Sequence, residues 1–154
     1  MQARLRRLQA DYDRVKAVFS SHPYIHLVNS EGFPPDKYTF AFEVQGLVPT
    51  NDEAFIKKAS HQAEIFLPID YPRRPPFCRM ISPVFHPNID PQKICLGDHW
   101  SAGQSLSQMV VHVAEMISYQ RYNLKSPLNA KAAAWAEQNI GLLPLEKVDL
   151  SVGL

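Results

Sequence analysis

Two cysteines among 154 residues are too few to staple a disulfide-rich scaffold, and a reduced, cytoplasmic setting is the simpler expectation. Neither sign of charge is in excess: 16 Lys and Arg face 15 Asp and Glu, leaving +1. So even a balance supplies no electrostatic argument for a nucleic-acid partner. Long apolar runs are missing as well. The basic segment 1–19 has neither a continuous apolar stretch nor a small-residue cleavage site. The most apolar later run, 109–117, is broken by His112 and Glu115 and is too short to cross a bilayer. No membrane partner is expected. No glycine-rich phosphate loop, internal repeat or low-complexity tract interrupts the chain.

What is present suits a single domain over residues 1–154. Hydrophobic residues make up 45% and charged residues 20%, the balance of an ordinary globular domain rather than a disordered one. Proline is the outlier, at 13 residues, with seven of them from Pro68 to Pro91. Each fixes φ and removes a backbone donor, so this region is expected to be tightly turned, irregular chain. Apolar residues on both sides (Ile65 to Leu67; Met80, Ile81, Val84, Phe85) argue for a moulded surface rather than a loose linker.

Periodicity supplies the elements. Leu5, Leu8, Tyr12, Val15 and Phe19 recur at three- and four-residue steps, predicting an amphipathic helix over 2–19. Its polar back carries Arg4, Arg6, Arg7, Arg14 and Lys16, which suits either solvent or an acidic partner. Strands are expected at 24–29, 37–46, 61–67 and 77–82. The second is the clearest, with Tyr38, Phe40, Phe42 and Val44 alternating against Thr39, Ala41 and Glu43. Turn residues at 32–35 and 48–51 separate them, so a four-stranded antiparallel meander is predicted. Ser105 and Gln108 form a capping-box pattern ahead of an apolar helix face. Ser126-Pro127 reads as an N-cap followed by proline at the first helical position, with Gly141 as the C-terminal stop. The fold class is α+β.

Between the strands and these helices lies His86-Pro87-Asn88-Ile89-Asp90-Pro91-Gln92-Lys93-Ile94-Cys95-Leu96-Gly97-Asp98-His99-Trp100. A cysteine thiolate is the natural covalent nucleophile in such a set. An asparagine amide nearby can donate to an oxyanion forming at an acyl carbon. The combination suggests acyl transfer through a thioester.

His86-Pro87-Asn88, Ile94-Cys95-Leu96 and Trp100-Ser101 together resemble the core signature of ubiquitin-conjugating enzymes. The stretch Pro68-Ile69-Asp70-Tyr71-Pro72-Arg73-Arg74-Pro75-Pro76 is similar to that family's proline-rich segment ahead of the site, and Asn123 with Ser126-Pro127-Leu128-Asn129 to the segment after it. The resemblance covers essentially the whole chain and implies a UBC-like fold. It implies that Cys95 accepts a ubiquitin-like protein from a separate ATP-dependent activating enzyme and passes it to a target lysine, with a ligase as a further partner. Asn88 would steady the loop and stabilise the oxyanion, His86 would hold the loop by hydrogen bonding, and Ser126 would help to position the incoming lysine. Both steps exchange acyl bonds, so no metal or organic cofactor is expected.

The chain also departs from the eukaryotic pattern. The segments on either side of Cys95 are short, Asp98-His99 stands close to the nucleophile as an amine-orienting or structural pair, and Arg73 replaces a common ligase-facing aromatic residue. These features look like the bacterial branch of the family, whose members resemble components of ubiquitin-like conjugation operons, some of them antiphage. The competing readings are a non-catalytic UBC variant that binds ubiquitin-like proteins, a cysteine hydrolase using His86 or His99, and a zinc site. One C-x₃-H pair without a second is little basis for zinc.

Overall fold

The structure is a computed structural model that describes residues 2–52, 54–96 and 100–154. Helix α1 (Ala3–Phe19) is followed by β1 (Ile25–Gly32), β2 (Pro35–Phe42), β3 (Gly46–Pro49), β4 (Phe55–Lys58), β5 (His61–Phe66) and β6 (Phe77–Met80). Helices α2 (Leu106–Ile117) and α3 (Ala130–Gln138) and a 3₁₀ turn (Ile140–Leu142) complete the chain. The fold is α+β, with a four-stranded antiparallel sheet ordered β1-β2-β5-β6. Among the described residues, no helix is long and apolar enough to cross a membrane.

Alternation does what it should in β2: Tyr38, Phe40 and Phe42 are almost completely buried, and they meet Phe19 and Val15 of α1 on one face of the sheet. Helix α2 lies against the same core. Its capping box forms as the pattern predicts, with the Ser105 hydroxyl accepting from the Gln108 N–H and the Gln108 side chain accepting from the Ser105 N–H.

Four local expectations are corrected. The strand predicted over 37–46 ends at Phe42, and Gly46 instead opens a separate β3–β4 hairpin, which inserts a two-stranded sheet into the meander. The predicted turn at 48–51 is in fact the end and tip of that hairpin. Gly46 is needed there for space: a Cβ would lie 2.8 Å from the Ile117 side chain and 2.9 Å from His61 Nε2. Helix α3 starts at Ala130, capped by Asn129 through the Ala132 N–H, so neither Ser126 nor Pro127 caps or opens it. It ends at Gln138, and Gly141 sits within the 3₁₀ turn rather than at a C-cap.

A buried polar knot joins α1 to the rest. The Arg7 guanidinium donates to Asp11, to the Tyr71 hydroxyl and to the carbonyls of Ala102 and Gln104. Tyr71 in turn donates to Asp11, and the other Asp11 oxygen accepts from the Leu106 N–H at the start of α2. Trp100 covers Arg7 and anchors its indole N–H on the Pro72 carbonyl at 2.8 Å. The segment after α3 packs back on the domain: Gln120 holds the carbonyls of Glu146 and Val148, His22 donates to Leu150, and Leu150 is buried.

Candidate active site

The tripeptide at 86–88 ties down a different piece of chain with each residue. His86 is fully buried against Tyr119, with ring centroids 4.7 Å apart. Its Nδ1 accepts the Asn88 N–H at 3.0 Å, so the proton sits on Nε2, which donates to the Arg121 carbonyl at 3.0 Å. Burial pushes its pKa down to about 4 and the Arg121 hydrogen bond opposes this only in part. The imidazole is therefore neutral near pH 7, with both nitrogens committed to backbone.

The Pro87 carbonyl accepts the Leu128 and Asn129 N–H groups at 2.8 and 3.1 Å, which fixes the approach to α3. Asn88 is buried, and its amide pairs reciprocally with the backbone of Asn123. Oδ1 accepts the Asn123 N–H at 2.8 Å and Nδ2 donates to the Asn123 carbonyl at 2.9 Å. This uses one of two amide hydrogens on Nδ2 and leaves the second available as a donor.

The backbone of Asn88 reaches the cysteine directly, its carbonyl accepting the Cys95 N–H at 2.9 Å. Ile94, one residue earlier, is buried, bridges to Ile89 and donates its N–H to the Cys78 carbonyl at 2.8 Å. Residues 93, 94 and 95 thus alternate exposed, buried and exposed. Cys95 is a free, solvent-facing thiol on a backbone held from both sides.

Ser126 lies on the loop that Asn88 and Pro87 pin at either end. It is exposed, has φ +50°, and makes no hydrogen bond among the described residues. A left-handed backbone at a non-glycine residue costs about 1 kcal/mol. This conformation is held because Asn123 and Leu128 are both tied to the 87–88 segment, while the Asn123 side chain accepts the Lys125 N–H at 2.8 Å. The structure therefore brings Cys95, Asn88, His86 and the Ser126 loop together. Asp98 and His99 fall outside the described residues.

Asn123 is the participant that sequence reasoning did not single out as a site residue. It meets Asn88 through its backbone, so its side-chain identity carries no sign of the contact. Among the described residues, no three His, Cys, Asp or Glu side chains gather as metal donors.

Comparison with known proteins shows what the chain as a whole resembles. A family model described as ubiquitin-conjugating enzyme matches residues 7–142. The chain is similar to ubiquitin-conjugating enzyme E2-20 kDa of Schizosaccharomyces pombe, 28% identical over 69% of this chain and 62% of that one. It is also similar to the SUMO-conjugating enzyme UBC9 of Caenorhabditis elegans, 23% identical over 59% and 57%. It thus spans less than two thirds of the length of either relative. In fold it resembles a crystal structure from Plasmodium yoelii assigned to the ubiquitin conjugating enzymes, with a TM-score of 0.64 at 20% identity, covering 92% of this chain and 88% of that one.

Proposed function

Because this chain belongs to the ubiquitin-conjugating enzyme family, we propose that it is an acyl carrier. Cys95 takes the C-terminus of a ubiquitin-like protein from a separate activating enzyme and hands it to a lysine of a protein target. The observation that carries this reading is an exposed Cys95 whose own N–H is held by the carbonyl of a locked Asn88.

In the first step the Cys95 sulfur attacks the incoming thioester carbonyl, a new C–S bond forms and the activating enzyme's thiol leaves. In the second, the target amine attacks the carbonyl on Cys95, a C–N bond forms, and the Cys95 thiolate leaves. The free Nδ2 hydrogen of Asn88 serves the oxyanion between these states, where a fixed donor is most effective. His86 has no part in proton transfer, since neither nitrogen is free; its work is to hold Asn88 and Arg121. Ser126, presented on its strained turn, orients the acceptor lysine, and Asp98-His99 is either a second amine-orienting pair or a structural one.

The short segments around Cys95 and the Gly97-Asp98-His99-Trp100 block support a place in the bacterial branch, in a cytoplasmic, antiphage conjugation pathway. Arg73 supports a ligase, where one is used, that differs from those docking on an aromatic residue. Adjacent genes for an activating enzyme and a ubiquitin-like protein are the expected finding, and their absence removes the pathway assignment.

The carrier itself is tested with the cognate activating enzyme, its modifier and ATP. The wild type forms a reductant-sensitive adduct. Cys95→Ala forms none, and Cys95→Ser forms a reductant-resistant, base-labile ester. An adduct that survives in Cys95→Ala ends the proposal.

A further inference from the structure

The turn that ends α2 builds one wall of a groove that acyl transfer does not use. The Gln120 N–H returns to the Glu115 carbonyl at 2.8 Å and the Tyr119 N–H to that of Met116 at 2.9 Å, the paired bonds that close a helix on a left-handed residue. Tyr119 holds that position at φ +61°, where glycine is usual, because its ring is buried against His86, Tyr122 and Trp135. Gln120 Nε2 donates to the carbonyls of Glu146 and Val148 at 3.1 and 2.9 Å, which draws the segment after α3 alongside the turn. Between them lies a groove of about 480 Å³, to which the turn contributes Tyr119, Gln120 and Tyr122 and the later segment Ile140, Leu143, Pro144 and Lys147. That is the size of a small-ligand site. Its apolar lining reaches solvent: Ile140 is 55% exposed and its neighbour Leu142 64%. Among the described residues the Lys147 ammonium has no ion pair, and neither the Tyr122 hydroxyl nor Gln120 Oε1 has a hydrogen-bond partner.

Apolar walls, one cation and one open carbonyl acceptor match a bulky apolar side chain, a carboxylate and a backbone N–H, which are the groups of an extended peptide. A free aliphatic acid would leave Gln120 Oε1 unpaired. The groove also sits at the root of the Ser126 loop, since Tyr122 precedes the Asn123 whose backbone holds Asn88. We propose that it docks an extended segment of the protein target in which a bulky apolar residue stands next to an acidic one. Only the assignment to the target rests on the carrier reading above. The docked segment is separate from the lysine that is modified. Its work is to keep the target close while that lysine finds Cys95, so it lowers the concentration of target required and leaves the chemical step alone.

The full chain, labelled with nitrogen-15, is titrated with acetyl-Gly-Leu-Glu-Gly-amide and followed through its amide signals. Shifts are expected at 119–122 and 140–147. Affinity should fall about threefold for the Leu-Gln peptide, as loss of an exposed charge pair requires, and about tenfold for the Ala-Glu peptide, which gives up most of its apolar burial. Lys147→Glu should lose its preference for the Leu-Glu peptide and prefer the Leu-Lys one, a reversal that misfolding cannot produce. Shifts elsewhere, equal affinity for all the peptides, or no reversal overturn the groove as a peptide site. So do shifts at these residues on raising the protein concentration alone, which give the groove to a second copy, or tighter binding of decanoate than of the peptide. A second arm uses the activating enzyme, its modifier and ATP. A lysine peptide joined by a glycine-serine linker to Leu-Glu should discharge Cys95 with a lower KM and the same kcat as one joined to Ala-Gln, and Lys147→Glu should remove the difference. Equal KM values withdraw the assignment to the target. Failure of Cys95 to charge at all sinks that assignment together with the carrier reading, while the peptide groove stands on the titration.

Discussion

The two cysteines sit on adjacent segments joined by a single backbone hydrogen bond, from the Ile94 N–H to the Cys78 carbonyl, yet their chemistry diverges. Cys78 lies in β6 opposite Ile65, is fully enclosed, and burial pushes its thiol up to about 12. It stays protonated and inert at neutral pH. Cys95, one residue past that hydrogen bond, faces solvent. Composition does not distinguish them. The direction in which each segment turns its odd and even residues does, and a shift of one residue in the 93–95 segment would bury Cys95 and expose Ile94.

The widest predicted gap is in alkylation. Iodoacetamide at pH 8 should label the exposed Cys95 and reach Cys78 roughly 10³-fold more slowly, because reaching Cys78 requires opening of a core strand. Guanidinium should erase the difference. Comparable labelling of both in the native protein would break the contrast. A smaller effect is expected from Asn88→Ala, which removes both bonds to Asn123 and the spare donor. Charging of Cys95 should survive while discharge to amines slows by roughly 10- to 100-fold, in line with loss of an oxyanion donor. An equal fall in both steps would make Asn88 a scaffold residue only.

A third effect is on stability. His86 is neutral in the folded state down to about pH 4, whereas the unfolded chain protonates it near 6.5. Below pH 6.5 the unfolded state binds more protons, so folding stability falls with pH by up to about 1.4 kcal/mol per unit and levels off below about 4. His61, whose pKa burial also lowers, acts in the same direction. Chemical denaturation from pH 7.5 to 4.5 should show this slope, reduced in His86→Gln. An unchanged slope would show that His86 is not held neutral.

The major elements were legible because they obey simple periods. The stripe of α1, the alternation of β2 and β5, and the capping box of α2 each announce themselves within a dozen residues. The site segment was legible too, since its chemistry is concentrated in 86–95. The β3–β4 hairpin was not: Gly46 reads as the end of the 37–46 strand and Pro49 as part of a turn, and only the close approach of His61 and Ile117 shows why a glycine belongs there. The start of α3 was misplaced for a related reason. Ser126-Pro127 is a sound local helix signal, but the hydrogen bonds from Leu128 and Asn129 to Pro87, distant in sequence, override it. Asp11 lies among the charged residues of α1, yet it is buried, because beside Arg7 of its own helix its partners, Tyr71 and the Leu106 N–H, come from two other segments.

The four-armed grip of Arg7 gives the first helix a mechanical role. Its guanidinium holds Ala102 and Gln104, ahead of α2, as well as Tyr71 and Asp11. Load placed on α1 is therefore passed through Arg7 to the chain entering α2, so the first helix cannot tilt without tugging on the second.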